Sequence, residues 1–338
     1  MKARRVVLKA LYESTDISQS LAMFMKSFSV SENLGGEADS ADITLQDKPD
    51  LWMGDWLPER GATVDITLQV NDWTGEGDTR ELPFGKFEID TITNSGPPNE
   101  AKLKLISIPN NSAIRAVEKT RSWEKAKLSV IAADVAKDAG LELFYDTEED
   151  PELERAEQSE QTDLAFLQKL CKDAGLSLKV TDEKIIIFDV KKYEQEEPVM
   201  TLTRGENVLS YSCEMTIREI YKACHVKYKH SKKSEYIEAT YTAPGREDSE
   251  GLTLQVNEKV ETQAEAEKLA KKKLREKNEE EVKASITTAG NFALLASNTV
   301  MLKGFHSYDG KYIITRSSHD VSGGYTTKVD LRRVLDGY

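Results

Sequence analysis

The sequence of 338 residues is poor in several features that mark particular classes of protein. It has three cysteines, Cys171, Cys213 and Cys224, which are too few and too widely spaced for a disulfide framework. No stretch approaches the roughly 18 consecutive apolar residues that span a bilayer, and residues 1–14 lack the apolar core of a signal peptide. We therefore expect a soluble protein without membrane contact, made in a reducing cytoplasm.

Positive charge is also in short supply. Lys and Arg together number 46 against 59 Asp and Glu, which gives a net charge of -13. Such a chain repels nucleic acid and anionic membranes instead of attracting them. The sequence also contains no G-x-x-x-x-G-K-[ST] or G-x-G-x-x-G phosphate loop, so we expect no nucleotide cofactor.

The N-terminal third shows the period-2 alternation of half-buried β-strands. The clearest strand is 63–70, where every second residue is apolar, and similar alternation occurs in 42–46, 86–90 and 102–105. Glycine and proline turn signals lie between these segments. Residues 1 to about 112 therefore predict an antiparallel barrel or sandwich.

A helical period replaces the alternation from about residue 122. Residues 128–139 place apolar side chains on one helical face, and Gly140 follows as a residue suited to a left-handed helix end. The segment 137–143 recurs as 172–178, with Gly175 in the position of Gly140, which indicates a duplicated helix–glycine–strand unit. The acidic stretch 146–160 between the copies predicts a solvated loop.

Alternation resumes after the polar linker 193–198, for example in 223–229 and 325–335. One helix interrupts it, opened by a capping box at Thr262 and predicted to lie on the surface over 262–284. We expect a mainly β (α+β) protein with a first β domain over 1–120, a small α/β domain over 121–198 and a second β domain over 199–338.

Candidate catalytic and metal sites are weak. His225 and His230, beside Cys224, are five residues apart on a strand and so face opposite sides, which argues against a metal site. The run 318–320 has the residue types of a hydrolase triad, but neighbours on a strand cannot converge on one substrate atom. We expect no metal, no cofactor and no catalytic residue.

Trp52 and Trp56 lie in a loop between strands, where they either close a barrel end or await a partner.

Four groups of residues, spread over nearly the whole chain, carry a family resemblance. They are residues 36–61, 82–98 with 121–123, the helix and strand pieces around 140 and 175, and the ending 310–333. In this order they resemble the baseplate hub proteins of contractile phage tails and phage-tail-like bacteriocins, the late control protein D family that includes PBSX-type prophage hubs. The matched positions, for which turn or packing roles are expected, are Gly36, Asp47, Trp52, Trp56, Gly85, Gly140, Gly175, Tyr312, His319, Gly323, Gly324 and Tyr325.

The resemblance implies two tail-tube-like antiparallel β-barrel domains around the small α/β domain. It implies a homotrimer that adapts a sixfold tail tube to a threefold spike, with the spike protein, the tail tube protein and neighbouring baseplate and tape-measure proteins as partners. DNA would be only a passing cargo. The protein would be in the host cytoplasm during assembly and afterwards in the baseplate. The excess of carboxylates then predicts a negatively charged lumen that does not retain its cargo.

Two other functions remain open at this point. The helices and strands of the middle domain resemble those of LysM-type modules, which bind peptidoglycan. A subunit of a cell-wall hydrolase is the third possibility, although no acid/base pair can be singled out in so acidic a sequence.

Overall fold

A computed structural model describes residues 3–48, 50–107, 113–181, 183–229, 236–248, 250–335 and 337–338. The chain divides into two units. The first comprises Met1–Gln195, Thr287–Ser297 and Thr315–Val329, and the second comprises Glu196–Ile286, Asn298–Ile314 and Asp330–Tyr338. No helix in the described ranges is long and apolar enough to cross a membrane.

The N-terminal part of the first unit is built from antiparallel strands whose alternating residues face one core. Its elements are β1 (Arg5–Tyr12), β2 (Thr15–Asp16), α1 (Ser18–Phe24), β3 (Met25–Asn33), β4 (Ser40–Gln46), β5 (Thr63–Asn71), β6 (Thr79–Ser95) and β7 (Glu100–Ile106). In β5 the buried side is Val64, Ile66, Leu68 and Val70, as the alternation predicts. The mainly β class is confirmed.

The middle of the chain contains the expected helix–glycine–strand unit twice. Its elements are α2 (Ala113–Ala116), β8 (Glu118–Lys127), α3 (Leu128–Ala139), β9 (Glu142–Asp146), β10 (Glu152–Thr162), α4 (Asp163–Ala174), β11 (Ser177–Val180), β12 (Lys184–Phe188) and α5 (Val190–Gln195). The loop predicted over 146–160 is wrong, because β10 pairs with β8 in a two-stranded antiparallel ribbon. Most side chains of β10 are exposed, so acidic residues are tolerated along it.

The second unit and the returning C-terminal segments complete the chain. The elements are β13 (Met200–Thr203), β14 (Ser210–Met215), β15 (Ala223–Lys229), β16 (Tyr236–Thr242), β17 (Thr253–Val256), α6 (Gln263–Asn278), β18 (Val282–Ala289), β19 (Thr299–Lys303), a short 3-10 helix (His306–Tyr308), β20 (Gly310–Val321) and β21 (Tyr325–Arg333). The helix predicted over 262–284 ends at Asn278, because Val282 begins a strand with alternate residues buried.

The sheet of the first unit has the strand order β20-β3-β4-β7-β6-β5-β1, and all neighbours in it are antiparallel. Within the described residues this order is an open path, so the β-barrel that the family resemblance implies is not closed, while the antiparallel β architecture expected from the alternation is present. In the second unit, β15, β16 and β17 form a separate small sheet, and α6 packs its alanines and leucines against it.

The loop between β3 and β4, two strands of the first-unit sheet, contacts β11 in the middle of the chain. The Gly36 backbone N–H donates to the Leu178 carbonyl oxygen at 2.9 Å. The Lys179 ammonium donates to the Asn33 carbonyl oxygen at 3.0 Å and forms an ion pair with Asp39 at 2.8 Å. These contacts all fall on β11, one of the two outer strands of the sheet β11-β12-β9.

Candidate functional site

The matched positions near the C-terminus meet in one buried polar cluster on the inner face of β20 and β21. His319 is fully buried, with Nδ1 2.6 Å from the Tyr325 hydroxyl and Nε2 3.3 Å from the Ser317 hydroxyl. Burial lowers the pKa of His319 to about 4, so the imidazole is neutral near pH 7. Gly323 and Gly324 lie in the turn that joins the two strands.

Aromatic rings enclose this cluster. The Tyr325 ring lies 5.3 Å from Trp73 and 5.9 Å from Phe292, measured between ring centroids. The Trp73 indole N–H donates to the Gly290 carbonyl oxygen at 2.8 Å. A Cβ on Gly290 would lie 2.0 Å from the Tyr325 ring, so only glycine fits there. No local sequence pattern marks Gly290, because the residue that restricts it is distant in the chain.

Glu32 is a second residue that the sequence analysis missed. It lies on the strand face of Phe28 and Val30, opposite Ser317 of β20, and its Oε2 is buried without a hydrogen-bond partner. Burial raises the pKa of Glu32 to about 7; Lys179 lowers that pKa in part, and Asp39 adds to the rise. A carboxylate on the apolar face of an alternating strand is the sequence signal that marks it.

The two tryptophans of the tryptophan loop, the segment between β4 and β5 that carries Trp52 and Trp56, differ in burial. Trp52 is 5% exposed, and its backbone N–H donates to the buried Asp47 carboxylate at 3.1 Å. Trp56 is 38% exposed and lies edge-on to Trp52, with 5.6 Å between ring centroids. Trp52 therefore closes the core, while Trp56 faces solvent.

Five of the six matched glycines have a positive φ. The angles are 82° at Gly36, 86° at Gly85, 70° at Gly140, 79° at Gly175 and 72° at Gly323, whereas Gly324 has no such angle. At the ends of α3 and α4 the glycine N–H bonds back to the last helical turn, which is the conformation that glycine adopts at least cost. The remaining matched position, Tyr312, is buried in the second unit and donates its hydroxyl hydrogen to the Tyr308 carbonyl oxygen at 2.8 Å.

The described residues considered for metal binding and catalysis have other partners or are buried in the core. His225 Nδ1 lies 2.8 Å from the Thr240 hydroxyl, Cys224 is buried, and His230 lies outside the described residues. In the described ranges no three His, Cys, Asp or Glu side chains are grouped to hold a metal ion. Ser318 bonds to the Ser31 hydroxyl and not to His319, so residues 318–320 do not form a triad.

The most exposed apolar surface of the second unit follows one strand. Within β14, Tyr211, Cys213 and Met215 share one face, because side chains two apart on a strand point the same way. Leu209 and Ile217 are further exposed apolar residues just before and just after the strand. Leu209 is 65%, Met215 47% and Ile217 92% exposed. Among the described strands, β14 pairs only with β18, so it is also a sheet edge. The alternation is visible in the sequence, but its exposure is not.

Comparison with known proteins gives a consistent result. The model of the family described as phage tail baseplate hub (GPD) matches residues 42–325. The probable baseplate hub protein of Escherichia phage 186 is 24% identical over 224 residues, which are 65% of this chain and 55% of that protein. The protein of the same description in Escherichia phage P2 is 24% identical over 227 residues, 66% of this chain and 56% of that protein. The alignments thus span little more than half the length of these relatives.

Solved structures of tail proteins share the fold. The tail protein from Neisseria meningitidis MC58 superposes with a TM-score of 0.73 and 14% identity over 98% of this chain and 97% of that chain. The 43 kDa tail protein of prophage MuSo2 from Shewanella oneidensis gives a TM-score of 0.72 and 15% identity over 98% of each chain. A type VI secretion system component from E. coli gives a TM-score of 0.57 and 12% identity over 93% of this chain and 75% of that chain.

Proposed function

The chain belongs to the phage tail baseplate hub family, and from that premise we propose that three copies form a ring that joins the tail tube to the spike. The role is structural and not enzymatic. The ring would use residues 1–120 and 199–338 as two tube-like domains around a middle domain over 121–198. The family assignment favours this function over the peptidoglycan-binding alternative.

The observation that carries the proposal is the uncovered apolar face of β14. Period-2 alternation of apolar residues is typical of a strand with one buried face, yet Tyr211 and Met215 of β14 are exposed in the single chain, and so is Ile217 just beyond the strand. Burying one such side chain is worth roughly 1.5–3 kcal/mol. A sheet edge that also carries an apolar face favours association with another protein surface.

A charge placed on this face tests the assembly. The double variant Met215→Asp/Ile217→Asp should lose at least about 3 kcal/mol of association free energy, or roughly 100-fold in affinity. Sedimentation velocity, alone and with the spike protein, should show a trimer for the wild type and a monomer for the variant. Leu252→Asp, a change at another exposed apolar residue, is the matched control and should remain trimeric.

Two results would contradict this function. The first is a wild-type chain that remains monomeric both alone and with the spike protein. The second is a double variant that keeps the trimer although its melting temperature shows it to be folded.

We also infer that the lumen of the ring is negatively charged, so that DNA or the tape-measure protein passes without binding. The net charge of -13 supports this inference. An anionic wall gives DNA no gain from counterion release. Mapping the surface potential of the assembled trimer tests it, and a positively lined channel would contradict it.

A further inference from the structure

A cavity of about 370 Å³ opens between α1, the tryptophan loop and the inner face of the first sheet. Its floor is aliphatic, formed by Leu21, Ile43, Val64, Ile89 and Leu103. The volume lies at the lower end of the range for ligand pockets, which are roughly 300–1,000 Å³. It therefore has room for one bulky apolar group.

Two tryptophan rings form part of the wall of this cavity. Trp52 and Trp56 lie edge-on with 5.6 Å between ring centroids, and Phe24 packs edge-on against both of them at 6.3 and 5.7 Å. The loop that carries the tryptophans is held by backbone bonds from Trp56 N–H to Leu51 O at 2.9 Å and from Leu57 N–H to Gly54 O at 3.0 Å. Trp56 and Leu57 are exposed beside the cavity, so its apolar lining continues onto the surface.

The charged groups that line the cavity are acidic. Among the described residues, Asp55 and Glu59 line it and no basic side chain does. Within the described residues neither carboxylate forms an ion pair. The Glu59 backbone N–H donates to the Tyr12 hydroxyl oxygen at 3.1 Å, which holds this side of the loop in place. The charge here suits a cation beside an apolar group.

We propose that this cavity is a docking pocket for a segment of another polypeptide, which inserts one bulky apolar side chain and places a lysine or arginine beside it. The choice of a polypeptide rests on the proposed function, because the neighbours of a baseplate subunit are proteins. A second copy of this chain is an outcome that the test below distinguishes.

Two short peptides of opposite charge serve as probes for the full chain. N-acetyl-Phe-Lys-amide and N-acetyl-Phe-Glu-amide differ in the sign of one side-chain charge, and tryptophan fluorescence excited at about 295 nm follows their binding. We expect the lysine peptide to bind roughly 5- to 10-fold more tightly at low salt, with the ratio falling as ionic strength rises.

Variants assign that preference to the cavity. Asp55→Asn/Glu59→Gln should bring the ratio of the two affinities close to one, whereas Glu76→Gln, outside the lining, should leave it unchanged. Trp56→Ala should weaken both peptides about 10-fold, as loss of an aromatic anchor does. Asp55→Asn/Glu59→Gln removes no ion pair of the described residues, so this variant should fold like the wild type. It therefore tests the pocket even where Trp56→Ala is unstable.

Three outcomes would overturn the proposal. One is equal binding of the two peptides by the wild type, and another is unchanged affinity in folded Trp56→Ala. The third is a change in oligomeric state caused by Trp56→Ala, which would assign the cavity to a second copy. Sedimentation of the same samples separates this proposal from the proposed function. A trimer that fails to bind peptide overturns the docking pocket and leaves the trimeric ring standing. A monomer that binds peptide supports the docking pocket and contradicts the trimeric ring.

Discussion

Replacing the buried carboxylate of Glu32 should stabilise the protein, and by an amount that depends on pH. The pKa of Glu32 is raised by burial to about 7 from 4.5, so folding favours its protonated form. Its stabilising contribution is present below pH 4.5 and is lost as the pH rises through 7. The gap between these pKa values corresponds to about 3 kcal/mol of unfolding free energy. Glu32→Gln should therefore exceed the wild type by up to that amount at pH 8, and by less at pH 5.

His319 acts in the opposite direction over nearly the same range. Burial lowers its pKa from 6.5 to about 4, so between these pH values the imidazole is protonated in the unfolded chain and neutral in the folded chain. Stability is lost as the pH falls from 6.5 through 4, again by about 3 kcal/mol in total. Between pH 4.5 and 6.5 the two contributions oppose each other in the wild type. Glu32→Gln should uncover the slope of His319, so the variant loses stability steadily on acidification.

Urea unfolding at half-unit steps from pH 4.5 to 8 measures both effects. Asp42→Asn, which changes an exposed carboxylate on the neighbouring strand β4, is the control and should show no comparable dependence. A Glu32→Gln variant whose stability difference from the wild type stays constant across this range would refute the assignment. A variant less stable than the wild type at pH 8 would do the same.

Two further predictions concern the interior of the first unit. Gly290→Ala should lower the free energy of unfolding by about 1–3 kcal/mol, because its Cβ would overlap the Tyr325 ring, whereas Gly324→Ala, with open space around it, should change the melting temperature little. Asp163→Ala should lower the free energy of unfolding by about 3–5 kcal/mol, since this fully buried carboxylate accepts from Lys119 at 2.7 Å and Arg121 at 2.6 Å. Thermal unfolding measures this loss beside the control Glu157→Gln, a change at an exposed carboxylate, and equal melting temperatures of the two variants would contradict the prediction.

The parts of the fold that the sequence predicts are those where burial and chain period coincide. Strand 63–70 has one buried and one half-buried face, so its alternation is unambiguous and β5 covers it. Strand β10 could not be predicted, because a two-stranded ribbon exposes most of its residues and leaves no apolar period to detect. The run after Asn278 is rich in good helix formers, and strand pairing overrides that propensity at Val282.

The residues of the candidate sites also differ in how far they can be predicted from the sequence. Trp52 and Trp56 stand out in the sequence as rare residues in a loop, but only the structure shows that one is buried and the other exposed. Glu32 could have been found, because it interrupts the apolar face of its own strand. Gly290 could not, since the Tyr325 ring that restricts it comes from a segment 35 residues away, a distance that local patterns do not span.

The contact of the loop 33–39 with β11 has a consequence for solubility. An outer strand exposes unpaired backbone groups, which invite pairing with other chains and hence aggregation. Here the Gly36 N–H occupies the Leu178 carbonyl, and the side chain of Lys179 is bound to Asn33 and Asp39. A middle fragment prepared without residues 33–39 would expose this edge and be prone to associate with itself. The β3–β4 loop thus covers the edge of β11, a strand from another part of the chain, and limits its pairing with other molecules.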